Sequence, residues 1–345
     1  MKESAGQFNI IGNAPEHEKL ETKEALERAL REGHLEDSMD EASLEKIRIN
    51  EYPKNEDEIF LIDFINKETN KIMENLGIKS FNIPERNFHI VPPELFEDIT
   101  GGKVSGGVAD YKHQAIGLDV SNARSHPIVF ANIAFHEALH LKAKQVVQVS
   151  RPKNEIESDA KKSFLKMGLT ISSPITENGE KEEHMHFKGL HEAVVANEEA
   201  KFISKLMELD MFSNLKKWIN SDKGMEEKMQ IWHEKKIPID EIYYIDVKQK
   251  KFYNIGYESQ REVLLYVCGE IAKDKGLPEE DIQKEFLKAN FSGSLLGLAK
   301  MVEKTFGKGS FRELGNLDIN ENSARNVLES LKKFRLRKQR EVNTK

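Results

Sequence analysis

The pentapeptide His136-Glu137-Ala138-Leu139-His140 is the stretch of this 345-residue chain that says most about its fold. Two histidines four residues apart on an α-helix lie on one face, one turn apart, so both imidazoles can bind the same metal ion. The intervening glutamate then points beside that ion, where a bound water would lie. Three fixed positions are few, however, and the alternative is a core helix whose histidines bind only backbone or carboxylate groups.

The residues around the pentapeptide predict the helix that such a site needs. Ser125 can cap its first turn, and Pro127 suits the first helical position. Apolar residues then follow at helical spacing and are expected to bury one side, namely Ile128, Ala131, Phe135, Leu139 and Ala143.

A third ligand is expected on a second helix, which begins near Gly189 and runs to about Leu209. Catalytic zinc commonly takes three protein ligands and keeps one position for water, and two histidines with one glutamate form a standard set. Glu192 opens this helix beside apolar residues. The sequence therefore predicts Zn2+ held by His136, His140 and Glu192.

This pair of motifs, H-E-x-x-H followed by a glutamate on a second helix, resembles the gluzincin metallopeptidases, the group that includes thermolysin. In thermolysin-like members the second helix carries Asn-Glu-Ala, and an aspartate four residues after the glutamate supports a histidine ligand. The present chain has His-Glu-Ala at 191–193 and Ala196 in place of the aspartate, and Glu199, two turns after the ligand, is the candidate substitute. The resemblance covers residues 84–210.

The resemblance implies a zinc metallopeptidase that hydrolyses peptide bonds in a peptide or protein substrate. Zinc would activate a water molecule, and Glu137 would accept its proton as general base and deliver it to the leaving amine. A further donor must stabilise the oxyanion. Tyr253, Tyr257 and Arg261 are in a suitable part of the chain, and Tyr257 is the preferred candidate.

Short strands before the motif helix and helices after residue 210 predict an α+β fold, a small mixed zincin-like sheet followed by a mostly helical C-terminal half. Strands are expected at 88–91, 106–112 and 115–120. In zincin-type peptidases an edge strand pairs with the extended substrate. Gly107–Tyr111 is the candidate for that strand, and an ordinary structural strand is the alternative.

A hairpin and four helices complete the predicted elements. Asn178-Gly179 is a turn signal between residues 164–172 and 184–187, and the hairpin would overhang the metal as a flap. Helices are expected at 258–273, 279–289, 294–306 and 322–337.

Charge and hydrophobic pattern divide the chain into four parts. We expect an acidic, mobile N-terminal extension at 1–50, a zincin-like metal-binding domain at 51–210, a helical subdomain at 211–331 and a basic tail at 332–345. The tail can contact nucleic acid, but a solvated helix end is the favoured interpretation, so no nucleic-acid partner is expected.

Composition indicates a protein with a heavily solvated surface, since 32% of residues are charged and 38% hydrophobic. No apolar run approaches the ~20 residues of a membrane span, and residues 1–13 lack the features of a signal peptide. Cys268 is the one cysteine, which excludes an intrachain disulfide. We therefore expect a cytoplasmic protein without a membrane span.

Three other interpretations stay open. Glu137-x-x-His140 and Glu183-x-x-His186 would suit a di-iron carboxylate protein if both lay on bundle helices. His184, His186 and His191 could hold a separate metal, or one of them could replace Glu192 as third ligand. The chain could also be a catalytically inactive zinc-binding or peptide-binding module, although such a module has no need for Glu137.

Overall fold

The computed structural model describes residues 7–33, 41–100, 106–151, 160–177, 180–235, 242–246 and 251–343. These residues form a mixed α+β structure that is mostly helical and contains three small sheets. The predicted α+β class is therefore confirmed.

Strands account for the smaller share of the fold. They are β1 (Phe8–Ile11), β2 (Phe88–Val91), β3 (Gly107–Asp110), β4 (Ala115–Asp119), β5 (Gln145–Ser150), β6 (Lys161–Met167), β7 (Thr170–Glu177), β8 (Glu180–His186), β9 (Ile242–Asp246) and β10 (Lys251–Asn254). The sheet orders are β1-β5-β6-β7-β8, β2-β4-β3 and β10-β9.

Helices supply most of the remaining structure. They are α1 (Glu16–Glu32), α2 (Glu41–Asn50), α3 (Glu56–Asn75), α4 (Pro93–Thr100), α5 (Val120–Ala123), α6 (Pro127–Lys142), α7 (Lys188–Leu206), α8 (Ser213–Ile219), α9 (Asp222–Lys235), α10 (Glu258–Lys275), α11 (Glu279–Ser292), α12 (Leu296–Phe306), α13 (Ser310–Leu314) and α14 (Glu321–Asn343). The four helices predicted after residue 257 are confirmed. The β9–β10 hairpin was not predicted, although its aromatic and β-branched residues favour strands.

The three-stranded sheet contains the strands predicted before the motif helix. β2 runs parallel to β4, and β3 pairs antiparallel with the other side of β4. The sheet is thus mixed, as expected, and β3 is one of its edges among the described residues. β3 also lies against the motif helix, because a Cβ at Gly107 would be 2.4 Å from Cγ2 of Ile133.

The motif helix α6 is buried on nearly all sides rather than on one. Pro127 occupies its first turn as predicted, but the cap is His126, whose Nδ1 accepts a hydrogen bond from the Ile128 amide at 3.2 Å. The predicted Ser125 cap is wrong because the Ser125 hydroxyl donates to the Asn122 carbonyl at 2.6 Å, which closes the preceding turn.

Aromatic stacking holds α6 against its neighbours. The rings of Phe135 on α6 and Phe202 on α7 stack with centroids 4.0 Å apart and an angle of 5° between planes. Phe64 on α3 also contacts Phe202, with ring centroids 5.8 Å apart. At the end of α6, the buried Lys142 donates hydrogen bonds to Thr69 and Asn70 of α3 at 2.6 and 2.8 Å. These contacts fix the axial position of α6.

The predicted hairpin corresponds to β7 and β8, which pair antiparallel from Ile171↔His186 to Glu177↔Glu180. This register leaves a two-residue connection, the length typical of an Asn-Gly turn. Asn178 and Gly179 themselves lie outside the described residues.

Residues 7–33 differ from the expected mobile extension. β1 pairs in parallel with β5, and the Gln7 side chain donates a hydrogen bond to the Leu141 carbonyl at 3.1 Å. Leu26 and Leu30 of α1 are buried in the main core. The helix docks although it has few apolar residues, because Leu26, Ala29 and Leu30 lie on one side of it and are buried.

One hydrophobic core runs through the predicted metal-binding and helical parts, because a single cluster of buried residues includes side chains from β1 to α14. Residues 332–343 of the predicted basic tail form the end of α14, where Arg335 binds Glu270 and Asp274 of α10. Among the described residues, no helix has both the length and the apolar character of a membrane span.

The packing of α1 can be tested with two leucines of that helix. Leu30 is fully buried and Leu20 is 56% exposed. We expect Leu30→Ala to lower the free energy of unfolding by about 2–5 kcal/mol, because it leaves a cavity, and Leu20→Ala to change it by less than about 0.5 kcal/mol. Urea unfolding measures both, and equal stabilities would show that the core does not hold α1.

Candidate metal centre

Three ligand atoms from two helices meet at one point. The Nε2 atoms of His136 and His140 are 2.8 Å apart. Oε2 of Glu192 on α7 is 3.2 Å from the first and 3.3 Å from the second. Among the described residues this is the one group of three or more His, Cys, Asp or Glu side chains that could hold a metal ion. The structure therefore brings together all three predicted ligands.

The size of this triangle fits a metal ion with tetrahedral coordination. Ligand atoms about 2.0–2.1 Å from zinc at tetrahedral angles are about 3.3 Å from one another. Two sides of the observed triangle match that length and the third is shorter by half an ångström. Binding an ion therefore requires only a small separation of the two imidazoles.

Glu199 orients His136. Its Oε1 contacts Nδ1 of His136, and its Oε2 accepts a hydrogen bond from the Asn132 amide at 2.5 Å. Because a carboxylate only accepts, Nδ1 of His136 carries the hydrogen and the Nε2 lone pair of the neutral ring faces the centre. Glu199 thus occupies the supporting position for which Ala196 lacks a carboxylate.

His191 orients His140 in a different way. Its Nε2 is 2.7 Å from Nδ1 of His140, and its Nδ1 lies 3.1 Å from the Thr170 hydroxyl on β7. Burial and the neighbouring His140 lower the pKa of His191 to about 3, and the ring also bonds to the Met167 backbone. With Nε2 of the neutral His191 as the acceptor of the 2.7 Å contact, Nδ1 of His140 is the donor. The lone pair of His140 is then on Nε2 and faces the centre.

The centre requires a positive charge. Two imidazole lone pairs and a carboxylate oxygen converge without a hydrogen between them, so they repel unless a proton or a cation intervenes. Burial opposes protonation of His136, but Glu199 and Glu192 raise its pKa well above its ordinary value. Burial likewise opposes ionisation of Glu192, but His140 and His136 hold its pKa well below the usual range. A divalent ion supplies the same positive charge and displaces the proton.

Glu137 lies beside the centre on the side of β3. It is 8% exposed, and a Cβ on Gly107 would be 3.1 Å from its Cγ. Burial raises the pKa of Glu137, although His136 and His140 act in the opposite direction. A buried carboxylate next to the ligands, but outside the ligand triangle, can accept a proton from a water at the centre.

Tyr257 is at the site, as predicted. It precedes α10 in a left-handed conformation with φ of 58°, and its ring stacks on that of His136 with centroids 6.0 Å apart. Burial, Glu192 and other nearby carboxylates raise its pKa, and its hydroxyl is hydrogen-bonded to Glu192. Arg261 donates a hydrogen bond to the Gly256 carbonyl at 3.2 Å instead. The Tyr253 side chain lies outside the described residues.

The remaining predicted candidates are elsewhere. Glu183 and His186 are on strand β8, so the helix pair that a di-iron site requires is absent there. The rings of His184 and His186 contact each other at 4.4 Å, and His186 bonds to Ser173. Both ring nitrogens of His191 are in contact with other side chains, Nε2 with His140 and Nδ1 with Thr170. The proposed separate histidine site is therefore not formed among the described residues.

Three residues near the centre were not predicted as part of the site, namely Asn132, Thr170 and Tyr111. Asn132 lies one turn before His136 on the same helix face, a spacing that could have identified it. Thr170 is distant in sequence and gave no such signal. Tyr111, at the end of β3, is close enough to Glu192 and Glu137 for their charges to raise its pKa, after the larger effect of burial.

Comparisons with protein-family models, curated proteins and solved structures find no match to this chain. The site therefore has to be interpreted from its own geometry.

Two adjacent glutamates of α7 test the support of His136. Glu199 binds that ring, whereas Glu198 pairs with Lys201 at 2.7 Å. We expect Glu199→Gln to weaken zinc binding about 10- to 100-fold, because the charge that orients the ligand is lost. Glu198→Gln should leave the affinity unchanged. Competition with a chromophoric chelator measures both, and equal affinities would remove Glu199 from the site.

Proposed function

We propose that this protein is a zinc-dependent metallopeptidase of the gluzincin type. The observation that carries the proposal is the convergence of His136, His140 and Glu192, with Glu137 buried beside them. A structural zinc site is normally closed by four protein ligands, whereas a catalytic site keeps one position open. The side chains of His136 and Glu192 retain 12% and 14% exposure, which is consistent with access for water.

Bound zinc would lower the pKa of a water ligand and polarise the carbonyl of the scissile bond. The residues of the chain would then move the proton. Glu137 accepts it from the water and donates it to the leaving amine, a role suited to its raised pKa. Tyr257 lies over His136 and is the predicted donor to the oxyanion.

The edge position of β3 supports an extended peptide as the substrate. Its outer side is unpaired among the described residues, and Gly107 places the strand in contact with Glu137. A peptide added to this edge would form backbone hydrogen bonds and pass close to the general base. The mixed three-stranded sheet next to α6 likewise agrees with a zincin-like arrangement.

Ala196, in place of the aspartate of thermolysin-like members, argues mildly for an inactive module. Glu199 weakens that argument, because its carboxylate contacts His136. A module that only bound zinc would also gain nothing from burying Glu137, since burial of a carboxylate costs free energy.

Two substitutions separate the general base from the ligand. We expect Glu137→Gln to keep one zinc per chain and to lower kcat by about 10²–10⁴-fold, because proton transfer is lost. Glu192→Ala should lower the zinc content itself. Metal analysis and cleavage of a mixed peptide library, with and without a chelator, measure both effects.

As a control, Glu183→Gln changes a carboxylate on β8, which bonds to Ser172, and should alter neither zinc content nor cleavage. Full activity of the Glu137→Gln variant would contradict the proposed mechanism. Equal zinc in wild type and the Glu192→Ala variant would exclude Glu192 as a ligand.

A further inference from the structure

A cavity of about 580 Å³ lies among helices α3, α6, α7 and α11. Its volume is within the ~300–1,000 Å³ that is typical of small-ligand sites. The lining includes Phe135 and Glu198 but neither His136 nor Glu199, which are the next residues of α6 and α7. The cavity is therefore on a different face of both helices from the metal centre.

The floor of the cavity is apolar. Its apolar side chains are Ile72, Leu76, Phe135, Phe202 and Leu287. Phe135 and Phe202 form the stacked pair that holds α6 against α7, and Ile72 and Leu76 of α3 remain partly exposed. A ligand with apolar side chains would remove this exposed surface from water, which favours its binding.

Three lysines and three glutamates surround the floor, so the lining has no net charge. They are Lys201, Lys205, Lys284, Glu68, Glu198 and Glu280. The lysine side chains are 41% to 51% exposed and form an open rim. A ligand with charge of one sign would be attracted by half of these groups and repelled by the other half, whereas a zwitterion can be attracted by both.

The end of the cavity beside α3 is positive. Glu68 is buried and bonds to two lysines, Lys205 of α7 at 2.7 Å and Lys71 at 2.5 Å. Burial opposes ionisation of Glu68, but the hydrogen bonds from both lysines hold its pKa below the ordinary value. One carboxylate with two ammonium groups leaves a net positive charge, which would attract a carboxylate of a ligand.

The opposite end, beside α11, is negative. Lys284 bonds to Asp281 at 3.0 Å and lies 3.9 Å from Glu280. One ammonium group with two carboxylates leaves a net negative charge, which would attract an ammonium group of a ligand. Between the two ends, Lys201 pairs with Glu198 at 2.7 Å and the two charges cancel. Two ends of opposite charge thus flank the apolar floor.

We infer that this cavity binds a short peptide with free ends and apolar side chains, its carboxylate beside Lys205 and its ammonium group beside Glu280. A free peptide is a zwitterion whose charges are separated by its backbone, with the side chains between them, and the cavity has the complementary arrangement. An apolar chain with only a carboxylate would leave the negative end without a partner. This inference goes beyond the proposed function and does not depend on it. If the metal centre cleaves peptides, its products belong to the class of ligand that the cavity would bind.

Leucyl-leucine is the probe, and N-acetyl-leucyl-leucine amide is its control, because it has the same side chains without the terminal charges. Calorimetric titration of the full-length protein should show leucyl-leucine binding with the same affinity in the presence of zinc and of a chelator, since none of the three metal ligands lines the cavity. We expect the capped peptide to bind at least about fivefold more weakly, because both charge pairs are lost.

Two variants each remove one charge from the cavity. Lys205→Met shortens the positive end, and Glu280→Gln neutralises the negative end through an exposed side chain that the fold does not need. We expect each variant to bind leucyl-leucine at least about fivefold more weakly than wild type. Lys216→Met is the matched control, because Lys216 of α8 pairs with Glu208 at 2.6 Å and does not line the cavity. Its affinity should equal that of wild type.

Three results would overturn the inference: no binding of leucyl-leucine, equal affinity in wild type and both cavity variants, or equally tight binding of the capped peptide. Binding that requires zinc would assign the peptide to the metal centre and would overturn it as well. The peptidase proposal is tested separately by cleavage and zinc content, so its failure and the failure of this inference can be distinguished.

Discussion

The antiparallel contact between α6 and α7 is the constraint on which the site depends. It brings three carboxylates, Glu137, Glu192 and Glu199, into a largely buried cluster with the imidazoles of His136 and His140. Burying ionised groups is costly unless an opposite charge is close. The stacked rings of Phe135 and Phe202 supply apolar contact that keeps the helices together despite this repulsion. The cluster is thus stable only when a proton or a cation occupies its centre.

The two ligand histidines are supported by chemically different groups. His136 contacts the carboxylate of Glu199, whereas His140 contacts the neutral ring of His191, which in turn contacts the Thr170 hydroxyl. An anionic partner makes an imidazole more basic and a stronger ligand, and a neutral partner mainly fixes its tautomer. Glu199 achieves its contact because seven residues are close to two turns of helix, so that it lies on the same face as Glu192.

Much of this arrangement could be predicted because it follows from local periodicity. The spacing of His136 and His140 and of the apolar residues from Ile128 to Ala143 predicted α6. The mixed acidic and apolar pattern after Gly189 predicted α7 and Glu192. The predicted N-terminal cap of α6 was one residue too early. The Ser125 hydroxyl donates to the Asn122 carbonyl, so the His126 side chain accepts the hydrogen bond from the first turn instead. Thr170 and the docking of β1 could not be predicted, because both depend on contacts between segments far apart in sequence. Tyr111 was predicted only as the last residue of the candidate strand 107–111, and in the structure it lies in the turn after β3.

The parallel pairing of β1 with β5 has a consequence for the order of folding. Gln7 and Leu141, which meet at this place, are 134 residues apart. At translation rates of about 5–20 residues per second, the first strand therefore waits roughly ten seconds on the ribosome before its partner has been made. During that interval α1 can meet only the part of its surroundings that is already made, such as Asn87, whose side chain donates a hydrogen bond to the Ala29 carbonyl. The charged side chains of α1 keep the waiting segment hydrated.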